Sequence, residues 1–255
     1  VTTWKDTAYS KGVPTARPVP WDSYVQERFE AFVKALAEHE VLDLETGKKV
    51  PFKDHSTLEM VQLNVAGLGS IAMRGGANDP PIGDLPGYTR ENFKDAILVS
   101  LKAAADNFPE KFLHVEIGDR GLKDNIASPL WEEIYQMILT EFDGLKNPKY
   151  GFFDEGLAAS KDSSGKVICY PETNSATGKV PYLSKDKTFV TFQMLQSWKN
   201  PFLNPSRTAN AEPADGIKCG YDLYGATYFE VYAPDIDNQD WRDEFKEWYD
   251  ILRID

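Results

Sequence analysis

Five runs rich in branched and aromatic residues begin near positions 61, 111, 149, 188 and 226, and the later intervals are almost constant. Segments of helical periodicity lie between several of them. Alternating strands and helices require crossover connections, and right-handed crossovers make successive strands parallel. A repeat of about 40 residues suits a (β/α) barrel better than a doubly wound sheet. The fold class read from the sequence is therefore α/β, a (β/α)8 TIM-barrel-like architecture. Only five strands are legible where a closed barrel has eight. Residues 1–57 offer one helix and little β-pattern, so the barrel's first strands are expected to be missing from this chain. A companion chain or an upstream segment of about 100 residues or more would then supply them. With Val1 in place of Met, a processed or fragmentary start is expected, and the missing secretory leader says nothing about compartment.

Residues 1–20 carry Pro14, Pro18 and Pro20 and read as an extended N-terminal arm, with residues 21–255 as the barrel-type domain. Trp21-Asp22 opens a helix with Tyr24, Phe29, Phe32, Val33 and Leu36 as its apolar face. Residues 40–57 read as a polar, turn-rich connection. Val61 to Ala66 is a strand stopped by Gly67 and Gly69. Thr89 is an N-cap, and the helix after it buries Phe93, Ile97, Leu98, Leu101 and Ala105. Pro109 ends that helix, and Lys111 to Ile117 form the next strand. Ser128-Pro129 starts a helix with Leu130, Ile134, Met137 and Ile138 inward. Strands follow at Tyr150–Glu155, Thr188–Gln193 and Ala226–Tyr232, with a short helix over Pro213–Tyr224. An amphipathic helix with Trp241, Phe245, Trp248, Tyr249 and Leu252 closes the chain.

The chain carries 28 Lys and Arg against 40 Asp and Glu, a formal charge of -12. Such a surface repels nucleic-acid phosphates and anionic membranes, and no basic patch offsets it. The longest apolar runs are far too short to span a bilayer. No glycine-rich phosphate loop follows any strand, which disfavours a nucleotide cofactor, and no cofactor is expected. Cys169 and Cys219 are either two separate buried thiols or one disulfide in an exported protein; we take them as bonded. No CxxC and no clustered His exists, so a metal site is the weakest reading of these residues. The run Asp235-Ile236-Asp237-Asn238-Gln239-Asp240 lacks the spacing of a calcium loop and reads as a solvated turn.

Pro18-Val19-Pro20-Trp21-Asp22-Ser23-Tyr24, followed by a helix and a glycine-stopped strand, resembles the middle of clan-A-type TIM-barrel glycoside hydrolases. Gly225-Ala226-Thr227-Tyr228-Phe229-Glu230-Val231-Tyr232, then Asp235-Ile236, looks like the last strand of such barrels. On this resemblance the chain covers strands four to eight. It implies a secreted or extracellular protein acting on a polysaccharide or oligosaccharide. That family places an acid/base Glu at the end of strand four and a nucleophilic Glu at the end of strand seven. Here strand four ends at Asn64-Val65, followed by Gly69-Ser70-Ile71-Ala72-Met73, and strand seven ends at Gln193. Neither position holds a carboxylate.

Glycoside hydrolysis needs two carboxyl groups on one cleft, one protonated and one ionised. Glu116, Glu155 and Glu230 lie in or at the ends of strands and are the catalytic candidates, since an acidic residue in an apolar strand needs a partner or a task. Asn64, Asp154, Gln193, Trp198 and Tyr232 are candidate sugar-contacting residues, amides for hydroxyls and rings for the apolar faces of sugars. Trp198 is expected along the rim of the cleft. His114 reads as a core histidine, and Glu59 as structural. Two functions are weighed: a glycoside hydrolase, and a non-catalytic extracellular structural or carbohydrate-binding protein on a degenerate hydrolase barrel. An aldolase-like or amidohydrolase barrel is less favoured, because the strands lack a Schiff-base Lys and paired His ligands.

Overall fold

The computed structural model describes residues 1–6, 15–64, 82–117, 129–142 and 149–253. Val65 and Ala66, the glycines at 67 and 69, Ser70 to Met73 and Ser128 lie outside the described residues. The chain divides into two compact units, Val1–Tyr150 and Gly151–Asp255. Both are α/β with parallel strands. No helix among the described residues is long and apolar enough to cross a membrane.

In the first unit the N-terminal arm pairs with itself: β1 (Thr3–Asp6) runs antiparallel to β2 (Thr15–Pro18). Helix α1 (Ser23–Glu38) starts at Asp22, whose carboxylate accepts from Tyr24 N at 3.1 Å and Thr2 N at 2.7 Å. Its buried residues are Val33 and Ala37, whereas Tyr24 and Phe32 are more than half exposed, so the apolar face is narrower than the spacing predicts. The polar connection contains a hairpin, β3 (Glu40–Asp43) against β4 (Lys48–Pro51), whose turn is held by Asp43 accepting from Glu45 N and Thr46 N. Strand β5 (Met60–Val61) is short and parallel to β6 (Phe112–Glu116).

Between them, α2 (Arg90–Asn107) begins at Thr89, which accepts from Asn92 N at 3.0 Å, and buries Phe93, Ile97, Leu101 and Ala104. Helix α3 (Leu130–Glu141) starts one residue later than the Ser-Pro pair predicts, because Pro129 is itself the extended cap residue. Its inner face is Leu130, Ile134, Tyr135 and Ile138. Glu133 of α3 bonds both Arg90 and Lys94, the latter at 2.8 Å, and joins the two helices.

The second unit is built on β7 (Tyr150–Lys161), β9 (Val190–Met194) and β10 (Ala226–Glu230), with β9 parallel to both neighbours. The far end of β7 folds against an added strand, β8 (Val167–Tyr170), in antiparallel register from Ala158↔Tyr170 to Lys161↔Val167. Helix α4 (Lys179–Ser184) precedes β9, and α5 (Pro213–Tyr224) precedes β10. Glu212 and Asp215 form a capping box at the start of α5, Pro213 fills its first turn, and Gly225 ends it at φ 63. A side chain would be strained at that angle, so glycine sets where α5 gives way to β10.

Leu157, Phe192, Met194, Trp198, Ile217 and Tyr224 form the centre of this unit's core. Gly220 lets α5 approach closely: a Cβ there would lie 2.5 Å from the Phe229 ring. Cys169 of β8 and Cys219 of α5 are joined by a disulfide across 50 residues. Closing a loop of that size contributes about 4 kcal/mol in the chain-entropy model. Two short helical segments finish the chain, α6 (Ala233–Ile236) and α7 (Arg242–Leu252). Phe245, Trp248 and Leu252 of α7 pack against the core.

Candidate active site

Three polar residues occupy adjacent positions across the parallel strands of the second unit. Glu230 of β10 pairs in register with Gln193 of β9. On the other side of β9 the register slips: Asp154 pairs with Phe192 and Leu157 with Met194, so Glu155 and Gly156 together oppose Gln193. That is a β-bulge, a device that redirects side chains at strand ends. Asp154 stabilises it by accepting from Gly156 N at 2.7 Å.

Alternation along the strands decides the facing. Phe192 and Phe229 pair and pack into the core with α5, so Gln193 and Glu230 lie on the opposite face, with Thr191 and Tyr228. Asp154, paired with Phe192, is 2% exposed and lies on the core side, where its charge and that of Glu172 add to burial in pushing the Tyr224 phenol up. Glu155 is exposed, and its charge acts on both Glu230 and Tyr232. Burial pushes the Glu230 carboxyl above the usual range, and the neighbouring Glu155 pushes it further. The Tyr232 phenol rises for the same reasons: burial first, then the charges of Glu155 and Glu230.

The loop after β9 is fixed from two sides. Asp235 of α6 is fully buried and accepts from Ser197 Oγ at 2.7 Å, Trp198 N at 3.0 Å and Lys199 N at 3.0 Å. Gln196, also fully buried, accepts from the backbone N–H groups of Phe202, Leu203 and Asn204 at 3.1, 2.8 and 2.9 Å. Its amide nitrogen donates to Asn204 O at 2.7 Å and Thr208 Oγ1 at 3.1 Å. Neither residue is singled out by the sequence reading, which treats Asp235 as part of a solvated turn. A carboxylate with three donors is instead what holds the turn and the loop together.

The structure thus brings together Glu155, Gln193, Glu230 and Tyr232. Trp198 does not join them on the rim: it is 8% exposed, in the core, with its ring against Gly216 and Met194. Glu116, at the end of β6, and Asn64, three residues past β5, are both buried in the first unit. His114 is buried in β6, and burial pulls its imidazole down to about 4. Among the described residues, no group of three His, Cys, Asp or Glu could hold a metal ion.

A carboxyl raised by burial and by a second carboxylate, with an amide between, is the minimal equipment of an acid–base site. β9 lies between β7 and β10, so these two strands are two spacings apart, about 10 Å. No family model matches the chain, no curated protein shows significant similarity to it, and no solved structure matches it.

Proposed function

We propose that the protein is a glycoside hydrolase whose cleft lies on the Gln193 face of β7, β9 and β10. Glu230 is the general acid and Glu155 the second carboxyl group, acting as base or nucleophile. Gln193 hydrogen-bonds substrate hydroxyls. The observation that carries this reading is the pairing of Glu155 and Glu230: Glu230 lies in register with Gln193 between them, and burial first, then the charge of Glu155, raise its carboxyl above the usual range. A general acid needs that condition. In this reading the parallel strands belong to a barrel-type sheet, and sugar recognition lies at their C-terminal ends, where such folds build their sites. The Cys169–Cys219 disulfide supports an extracellular location, since such bonds persist in oxidising compartments.

A second reading, carbohydrate binding without turnover, is favoured by one observation. The central position of the row is Gln193, an amide that can neither donate a proton as an acid nor attack as a nucleophile. One experiment separates the two. Wild type and Glu230→Gln are incubated with neutral β-linked polysaccharides while reducing ends and retained polymer are both measured. The hydrolase reading expects new reducing ends from wild type, a loss of about 100-fold or more in Glu230→Gln, and an unchanged melting temperature. Retention of polymer without any new reducing ends selects the binding reading. A large loss of stability with turnover intact would make Glu230 structural.

A further inference from the structure

The geometry points to Phe202, backed by Tyr232, as a stacking platform for a pyranose ring beside the Glu155–Glu230 pair, a role that rests on the carbohydrate reading of that site. Phe202 is 61% exposed, and Leu203 beside it equally so. Exposed apolar side chains on loops are ordinary when the loop is loose; this loop is not. The fully buried Gln196 uses both ends of its amide on it, taking three backbone N–H groups and giving two hydrogen bonds back. Pro201 and Pro205 flank the segment and restrict its backbone further. The protein therefore spends a buried amide on keeping an aromatic ring in water at a defined place.

That place is beside the carboxyl pair. The Phe202 and Tyr232 rings meet edge to face, with centroids 6.0 Å apart. Tyr232 is in turn close enough to Glu155 and Glu230 to feel both charges. A flat apolar face next to carboxylates and an amide matches a sugar ring, which offers C–H groups on one face and hydroxyls around its edge. Trp198, the aromatic residue of this loop most visible in the sequence, is buried in the core and leaves the platform to Phe202. A ring held in position before binding loses little freedom on stacking, which is why a fixed platform binds better than a mobile one.

The test uses the full chain and a panel of neutral β-linked gluco-, manno-, galacto- and xylo-hexasaccharides, with binding followed by calorimetry. Wild type, Phe202→Ala, Phe202→Trp and Glu230→Gln are compared. Phe202→Ala is expected to weaken binding by about tenfold or more with an unchanged melting temperature, whereas Phe202→Trp keeps it within about threefold. Glu230→Gln is expected to lose turnover and keep binding. If wild type binds and Phe202→Ala binds as tightly, the platform is overturned while the carbohydrate reading stands. If wild type neither binds nor cleaves any member of the panel, both are overturned.

Discussion

His114 shows how a single buried group can set an acid limit for its unit. It sits in β6 between Leu113 and Val115, 3% exposed, and burial holds its imidazole near 4 against an ordinary 6.5. The folded state keeps it neutral where the unfolded chain takes up a proton. Its contribution is therefore intact above pH 6.5 and is lost as pH falls from there through about 4. The full loss is of order 3 kcal/mol. His114→Gln removes the titration, and the difference in melting temperature between variant and wild type should shift in the variant's favour across that window. A pH-independent difference would assign the acid limit elsewhere. The sequence reading placed this histidine in the core because it interrupts an apolar strand, and such a residue is legible. Trp198 is not: a tryptophan just past a strand end reads equally well as a rim or as a core residue. The choice is made by Gly216 on a helix beginning fifteen residues later, which leaves room for the indole. Gln196 and Asp235 carry no local signal at all, because most of their partners are backbone groups of a loop whose path the sequence does not specify.

At the scale of elements, the last helix is the one whose docking depends on protonation. α7 lays Phe245, Trp248 and Leu252 on the core, and Trp248 meets Tyr221 of α5 with centroids 5.7 Å apart. On the same helix Glu244 faces Glu212 and Asp215 of the α5 start and Lys161 of β7, which is itself paired with Asp215 at 2.7 Å. One Glu244 oxygen is buried without a hydrogen-bond partner. Burial first, then the hydrogen bond and charge of Glu212 and the charge of Asp215, raise the Glu244 carboxyl to about 7, against a smaller opposing pull from Lys161. A raised pKa means that the folded state holds the proton more tightly. The stability is present below the ordinary carboxylate range and is lost as pH rises through about 7.

Amide exchange in 242–252 should accordingly speed up between about pH 4.5 and 7 beyond its intrinsic base dependence, and show no further excess above that. Glu244→Gln should remove that excess; an excess that survives would place the latch elsewhere. The helix itself was plain from its aromatic spacing, and α5 was equally plain because Pro213 and Gly225 punctuate both ends. β8 and the β3–β4 hairpin were not legible, since short exposed strands carry neither clear alternation nor a long apolar run. The narrow inner face of α1 has a related cause: helical spacing identifies a stripe, and packing decides how much of it is covered.

For the molecule as a whole, the proposed function makes charge the property that decides which carbohydrates would approach. The net charge of -12 adds to the acidic groups of the proposed site, Glu155 and Glu230. A neutral oligosaccharide meets no long-range force from that field, whereas a polyuronate or sulfated chain is repelled before it makes any contact. The repulsion extends about 30 Å at 0.01 M salt and shrinks to about 3 Å at 1 M. Binding of neutral oligosaccharides should therefore be insensitive to ionic strength over that range, because stacking and hydrogen bonding to hydroxyls involve no net charge. Oligogalacturonate binding should be undetectable at low salt and improve as salt is added, to no more than the level of the neutral chains. The comparison also separates the cleft from the bulk surface. Glu155→Gln lowers the local charge by one and leaves the rest of the molecule as it was. A marked gain in uronate binding from that one change locates the repulsion at the site; an equal gain from replacing an exposed carboxylate of α5, such as Asp222, locates it in the overall field. Tighter binding of oligogalacturonate than of every neutral chain at low salt would contradict the electrostatic argument outright, since a net charge of -12 repels a polyanion.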